Sequence, residues 1–385
     1  MADSHRGSHV RRLAAAGSRI LLASAGLSLG ACGSSDDPIL IGLAGPFSQP
    51  RAESMQLAAQ LAVSEINEQG GVRGRPLQLV IQDDSGMAAA AVQVARVLYA
   101  NRDVVAVVGH MNSGATLAAA RVYNGGSNSL VAISPSASSP DLSSAGPYTF
   151  RVCPTDSAHG VQLAQWARAQ IGANRVAILY ENDAYGRGLR TTFKDSFTQQ
   201  GGQIVSDDPV SAILPSFEPY LTRTRSRGGA DAILFAGARA GAEEMIRTFG
   251  VIRYSTIVLG GDGIAGIETA DVDAEGVYVS LAYLYDQPGA LNQAFTTAYR
   301  RTYGGQVPDH RGAGAYDAIR LLARAIESVG ANRARIRDYL AAVGDEEEPF
   351  DGVTGRIVFD DNGDVVDRTV VVGVVRDKRL ESTIR

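Results

Sequence analysis

From Ile39 onward, short apolar runs alternate with stretches whose apolar positions recur every three or four residues. ILIGLAG (39–45) reads as a strand, and Met55, Ala58, Ala62 and Ile66 keep helical spacing before the Gly70-Gly71 stop. Strand LQLVIQD, helix AAAVQVARVLYA, strand VVAVVG, helix ATLAAARVY and strand LVAIS follow. Near-continuous apolar strands separated by amphipathic helices predict a parallel sheet covered on both faces.

A second series begins after Pro154: helix AHGVQLAQWARAQI, strand RVAILYE, helix GLRTTFKDSFTQQ, strand region GGQIVSDDPV, helix FEPYLTRTRSR, strand AILFAG, helix AEEMIRTF and strand TIVLGGD. Two doubly wound units imply a cleft between them, and ligands of such sheets bind beyond the carboxyl ends of the strands. The later elements GVYVS, LNQAFTTAYRRTYG, GAYDAIRLLARAIESVG, GRIVFDDNGD and RTVVVGVV are too few for a third domain, so the chain is expected to cross back and complete both lobes.

The first residues have a different pattern. Basic positions up to Arg11 and Arg12 precede an apolar stretch from Ile20 to Leu29, too short to span a bilayer, so residues 1–31 read as a signal peptide that is removed. LGAC, ending at Cys32, resembles a bacterial lipoprotein box. Cys32 would then be lipidated, residues 32–38 would form a tether, and the body would sit in the cell envelope, anchored to a membrane through its acyl chains. The remaining cysteine, Cys153, reads as a buried apolar filler, and lipidation of Cys32 leaves no intramolecular disulfide. The 385 residues are 45% hydrophobic and 20% charged, which suits two domains with real cores. A net charge of −5 argues against a nucleic-acid partner.

No catalytic or metal motif emerges: there is no HExxH, Cys/His cluster, GxSxG elbow, P-loop or strand-linked GxGxxG, and no cofactor is implied. The loops at strand ends carry more information. Ser113, in HMNSGAT, stands where an N-cap would be, and a helix N-terminus offers free N–H groups to a carboxylate. ISPSASSPDL (133–142) repeats the arrangement, with Ser138 or Ser139 before Pro140 at a first helical position. Helix capping explains each serine taken singly; the two loops together point equally to a site. In VLGGDGIAG, Asp262 ends a strand among glycines, where it suits either a turn or an ammonium partner.

IGLAGP, AVSEINEQGGVRGRPLQLVIQDD, VVGHMNSGAT, ISPSASSPDL, YENDAYGRGL and GRIVFDDNGD, in this order, resemble the periplasmic leucine-isoleucine-valine-binding protein family, over most of the chain after the leader. The resemblance implies the type I periplasmic-binding-protein fold, an α/β fold of two doubly wound parallel-sheet lobes joined by three hinge crossings. These are expected near residues 151–154, 279–283 and 355–361, giving one lobe of 39–151 plus 283–355 and another of 152–282 plus 356–385. It also implies a non-enzymatic function: capture of an amino acid or similar molecule in the cleft, for delivery to an ABC permease with cytosolic ATPases. By position, Ser113 matches the serine that binds the ligand carboxylate, and Ser136 and Ser138, with Ala137 between them, match the loop that holds carboxylate and ammonium. Tyr185 matches an aromatic over the ligand, and Asp262 an acidic partner of the ammonium. The chain departs from the family at Pro50 and Arg51, where many relatives place an aromatic, and at Ala238 and Arg239, where they often have Tyr. Gly86 and Asn112 stand where some members have a disulfide. These departures argue against leucine as the ligand, and they leave two readings of Arg51 and Arg239: one of them meets an anionic or polar group on a larger amino-acid-like solute, or both are solvated at the cleft rim. Two alternatives remain at this level: a sensor on the same fold, and an envelope hydrolase using Ser113 or a serine of residues 134–139.

Overall fold

A computed structural model describes residues 37–211 and 216–383. The predicted leader, Cys32 and the tether up to residue 36 lie outside the described residues. The elements are β1 (Ile39–Gly45), α1 (Glu53–Glu68), β2 (Leu77–Asp83), α2 (Ala88–Ala100), β3 (Val104–Gly109), α3 (Ser113–Tyr123), β4 (Ala132–Ser134) and β5 (Thr149–Arg151). Then come α4 (Asp156–Trp166), β6 (Arg175–Glu181), α5 (Ala184–Gln199), β7 (Gln203–Val210), α6 (Glu218–Ser226), β8 (Ala232–Ala236), α7 (Arg239–Ile252), β9 (Ile257–Gly260) and β10 (Tyr278–Leu281). The series closes with α8 (Ala290–Thr302), α9 (His310–Val329), α10 (Arg333–Ala341), the small hairpin β11 (Phe350–Gly352) and β12 (Gly355–Ile357), β13 (Val371–Arg376) and β14 (Arg379–Ser382).

Strands β1–β5 form one parallel sheet in the order β2-β1-β3-β4-β5. Their alternating side chains divide between two cores, as the pleat requires. Ile39, Ile41, Leu43, Val105 and Ile133 pack toward α1, α8, α9 and α10, while Ala44, Val104 and Val107 pack under α2 and α3. The second sheet has the order β14-β13-β10-β9-β8-β6-β7. There Ala177, Leu179, Ile233 and Phe235 face α6 and α7, and Val176, Ile178, Leu234 and Leu259 face α4 and α5. The continuous apolar runs of the sequence thus mark strands covered on both faces. Each fully buried Leu or Ile contributes about 1.5–3 kcal/mol of transfer free energy.

β13 and β14 depart from the all-parallel expectation. Asp377 and Lys378 both have positive φ, at 48° and 58°, so they form a two-residue turn that folds β14 back on β13. The chain passes from the first sheet to the second between β5 and α4, returns between β10 and α8, and passes again between β12 and β13. Helix α9 starts earlier than its apolar pattern suggested: the Asp309 side chain accepts from the backbone N–H groups of Arg311 and Gly312, so the helix opens at His310. Fifteen of its twenty residues are buried.

Candidate functional site

In each sheet the strand order reverses direction once, between β1 and β3 in the first and between β6 and β8 in the second. The loops leaving neighbouring strands diverge at such a point and leave a crevice at the carboxyl edge. The two crevices face each other across a cavity of about 260 Å³. Loops after β1, β3 and β4 contribute Arg51, Ser113 and Ser136, and loops after β6, β8 and β9 contribute Glu181, Tyr185, Ala238 and Asp262. His310 and Arg311 enter from the start of α9.

The backbone around β3 explains how these loops come so close. Gly109 ends the strand with φ +134°, and a Cβ there would lie 2.2 Å from the carbonyl oxygen of Ala44, so only glycine fits. The next residue, His110, is fully buried, with Nδ1 at 2.6 Å from Asp84 Oδ2 and Nε2 at 3.1 Å from the Tyr123 hydroxyl. Both ring nitrogens are thereby engaged with groups other than Ser113, so His110 is not its base.

Ser113 is the first residue of α3 rather than its N-cap; Asn112 holds that position. Freed from capping, Ser113 Oγ accepts from the backbone N–H of Ser139 at 3.2 Å and ties the β3 loop to the β4 loop. Ser136 Oγ donates to the carbonyl of Met111 at 3.0 Å. Ser139 caps a short 3₁₀ turn, Pro140–Ser144. Ala137 and Ser138 are fully buried and sit behind the cavity rather than lining it. The carbonyls of Ala137 and Ser139 are held by the Arg151 guanidinium, at 3.4 and 2.7 Å. Ser138 Oγ and both carboxylate oxygens of Asp156 are buried neighbours without a hydrogen-bond partner of good geometry. Burial, reinforced by the charge of Asp262, raises the Asp156 pKa well above the usual carboxylate range.

Opposite the serines, Asp262 is 3% exposed. Its backbone carbonyl accepts from Arg311 Nη2 at 3.1 Å, and its carboxylate lies 3.7 Å from His310 Nε2. Burial and the Arg311 charge lower the His310 pKa to about 4, so the imidazole is neutral at pH 7. The Tyr185 hydroxyl accepts from the N–H of Gly263 at 2.9 Å, which sets its ring against the Asp262 turn. Arg239 stands apart from this group: it pairs with Glu243 at 2.6 Å along α7 and lines a neighbouring cleft of about 550 Å³.

Arg51 does reach the cavity. Burial and the nearby Arg311 lower its pKa, with Glu181 opposing. Glu181 ends β6, and burial pushes its carboxyl up to about 7. Glu181, Asp156, His310 and Arg311 were not singled out from the sequence as site residues. Asp309 before an apolar-periodic run was the available signal for the last two; nothing local marks the others, because folding brings them in from opposite sheets. The sequence expectation for Cys153 holds: it is buried, and burial pushes its thiol up to about 12.

The sequence matches the periplasmic binding protein family over residues 38–379. It is 26% identical over 338 residues to the Leu/Ile/Val-binding protein homolog 1 of Brucella abortus, covering 86% of this chain and 89% of that protein. Among solved structures, an ABC transporter substrate-binding protein from Desulfitobacterium hafniense in complex with Leu is 34% identical, with a TM-score of 0.78, covering 90% of this chain and 100% of that one. The branched-chain amino acid transporter substrate-binding protein of Streptococcus pneumoniae, in complex with isoleucine, is 28% identical with a TM-score of 0.80, covering 90% of this chain and 99% of that one.

Proposed function

The chain belongs to the periplasmic binding protein family, a family of solute binders and not of enzymes, and from that premise we propose that it captures an amino acid or amino-acid-like molecule between its two sheets outside the cytoplasm and delivers it to an ABC importer. The observation that carries this reading is the meeting of the serine loops after β3 and β4 with the buried Asp262 turn after β9. Ser113, with Ser136 beside it, holds the ligand carboxylate, and the N-terminus of α3 adds its partial positive charge. Asp262 pairs with the ammonium, and Tyr185 covers the ligand backbone.

Residues 39–152 with 283–365 move as one body and 153–282 with 371–383 as the other; Val152, Ile357, Phe359 and Val365, expected from the sequence in the second body, pack in the core of the first. Contacts made from both exist only when the cleft is shut, so ligand shifts the population toward the shut form. A membrane permease with cytosolic ATPases reads that shape. The LGAC sequence supports lipidation at Cys32, which would keep the protein on the membrane; Cys32→Ser is then expected to release it into the soluble fraction. The central test is a thermal-shift screen of the amino acids followed by solution scattering. A binder raises the melting temperature and reduces the radius of gyration. Failure of every amino acid to do the first, or an unchanged scattering curve at saturation, refutes the proposal.

A further inference from the structure

Part of the cavity wall is charged. Arg51 is oriented by its own neighbours: its Nε donates to Gln49 Oε1 at 2.7 Å, and Gln49 Nε2 donates to the carbonyl of Ser85 at 2.8 Å. Neither terminal nitrogen of Arg51 has a hydrogen-bond acceptor among the described residues. The room for this guanidinium comes from Gly86, whose φ is +71° and whose missing Cβ would lie 3.1 Å from both Arg51 Nη2 and Asn112 Nδ2. Donors from two loops of the first sheet therefore converge on one spot.

The second sheet supplies acceptors. Glu181 is 8% exposed and its Oε1 is buried without a partner. Asp183, two residues on, uses one oxygen to cap α5 by accepting from the N–H of Gly186 at 2.7 Å. Arg51 and the two carboxylates feel each other's charge, yet no ion pair within 4.0 Å joins them among the described residues. Apolar walls are scarce: apart from the Tyr185 ring, the lining offers only Met111 and Ala238 as apolar side chains.

Resting on the reading of the serines and Asp262 given above, we propose that the cavity selects an amino acid whose side chain is neutral and ends in a planar group bearing both a carbonyl and an N–H, a carboxamide or ureide. Arg51 reads the carbonyl and Glu181 the N–H. An aliphatic side chain leaves the half-buried Arg51 guanidinium and the buried Glu181 carboxylate without a ligand partner, and sites built to hydrogen-bond a ligand reject analogues that cannot reciprocate. An acidic side chain suits Arg51 but meets Glu181 and Asp183; a basic one suits the carboxylates but meets Arg51 and Arg311. A group with one acceptor edge and one donor edge satisfies both walls.

The test is calorimetric titration of the full chain with L-asparagine, L-glutamine, L-leucine, L-glutamate and L-lysine, repeated with Arg51→Met and Glu181→Leu. The better carboxamide should bind at least 100-fold more tightly than L-leucine, and each variant should erase at least 30-fold of that preference. Thermal melts establish that each variant is folded, and the two variants lie on opposite walls, so one misfolded variant leaves the other to decide. L-leucine binding as tightly as the carboxamides, or a folded variant weakening both ligands equally, overturns the selectivity while leaving amino-acid capture intact. If none of the five binds and the ureide L-citrulline, titrated beside them, does not bind either, the selectivity is overturned, and the screen of all the amino acids then decides capture itself.

Discussion

Replacing Asp364 with alanine should cost about 3 kcal/mol of stability and loosen the serine loop. Arg151, at the end of β5, is 2% exposed and Asp364, in the crossing between β12 and β13, is 13% exposed. Arg151 Nε reaches Asp364 Oδ1 at 2.6 Å, and Nη2 reaches Asp364 Oδ2 at 2.7 Å and Ser143 Oγ at 2.8 Å. Its Nη1 holds the carbonyls of Ser139 and Ala137. One buried side chain therefore ties two of the three passages between the sheets together and anchors the loop that carries Ser136 and Ser138. Removing one partner of a buried ion pair costs about 3–5 kcal/mol, because the other charge is left uncompensated; the partial exposure of Asp364 favours the lower end. Arg151→Met/Asp364→Leu replaces the pair by apolar groups and should recover more than half of the loss. Urea denaturation of the wild type, Arg151→Met, Asp364→Leu and the double variant measures the coupling, with Asp364→Ala measured beside them. A cost below about 1 kcal/mol for Asp364→Ala, or a double variant no more stable than Asp364→Ala, refutes the reasoning.

Three further outcomes are expected. Asp262→Asn removes the charge assigned to the ligand ammonium, an interaction worth roughly 1.5–3 kcal/mol, so calorimetry should show affinity lower by about 10- to 150-fold; a change under threefold would exclude that role. Glu181 titrates near 7 in the folded protein against an ordinary 4.5, so the native state holds its proton more tightly than the unfolded chain. The associated stability is present below pH 4.5 and lost as pH rises through 7, by roughly 3 kcal/mol; Glu181→Gln should flatten the melting temperature across that window, and an undiminished slope would place the titration elsewhere. In Gly160→Ala, the new Cβ would lie 2.1 Å from Thr192 Oγ1 and 2.6 Å from the backbone nitrogen of Phe193, where α4 packs on α5. Overpacking of this kind costs roughly 1–3 kcal/mol, and an unchanged urea midpoint would show that the helices separate freely.

The two sheets were legible because both faces of each are covered, so β1, β3, β6 and β8 appear as apolar runs that nothing else explains. The serine loops could be placed for the same reason, since their positions follow from the strands they leave. Spacing leaves Ser113 between a cap and a ligand contact, because Ser before an apolar-periodic run ordinarily caps; the three-dimensional pairing of β3 with β4 turns its hydroxyl toward Ser139. The β pattern of GRIVFDDNGD extends further than the strand, which ends at Ile357, because Asp360 Oδ1 accepts from the N–H groups of Asn362 and Asp364 and bends the chain. Arg51 was visible as a departure, but Glu181, Asp183 and Arg311 owe their place to the approach of two sheets, which no local pattern encodes.

The interleaved topology also bears on how the molecule is made. The first sheet takes its covering helices α8, α9 and α10 from residues 290–341, and the second takes β13 and β14 from residues 371–382. β1 therefore waits for partners more than 200 residues downstream of it, and the α1 face of the first sheet stays uncovered until residues 290–341 have emerged. Long-range closure of this sort is slow. In a nascent chain with this wiring, that face of the first sheet stays open to handling by chaperones until nearly all of the chain has been synthesised.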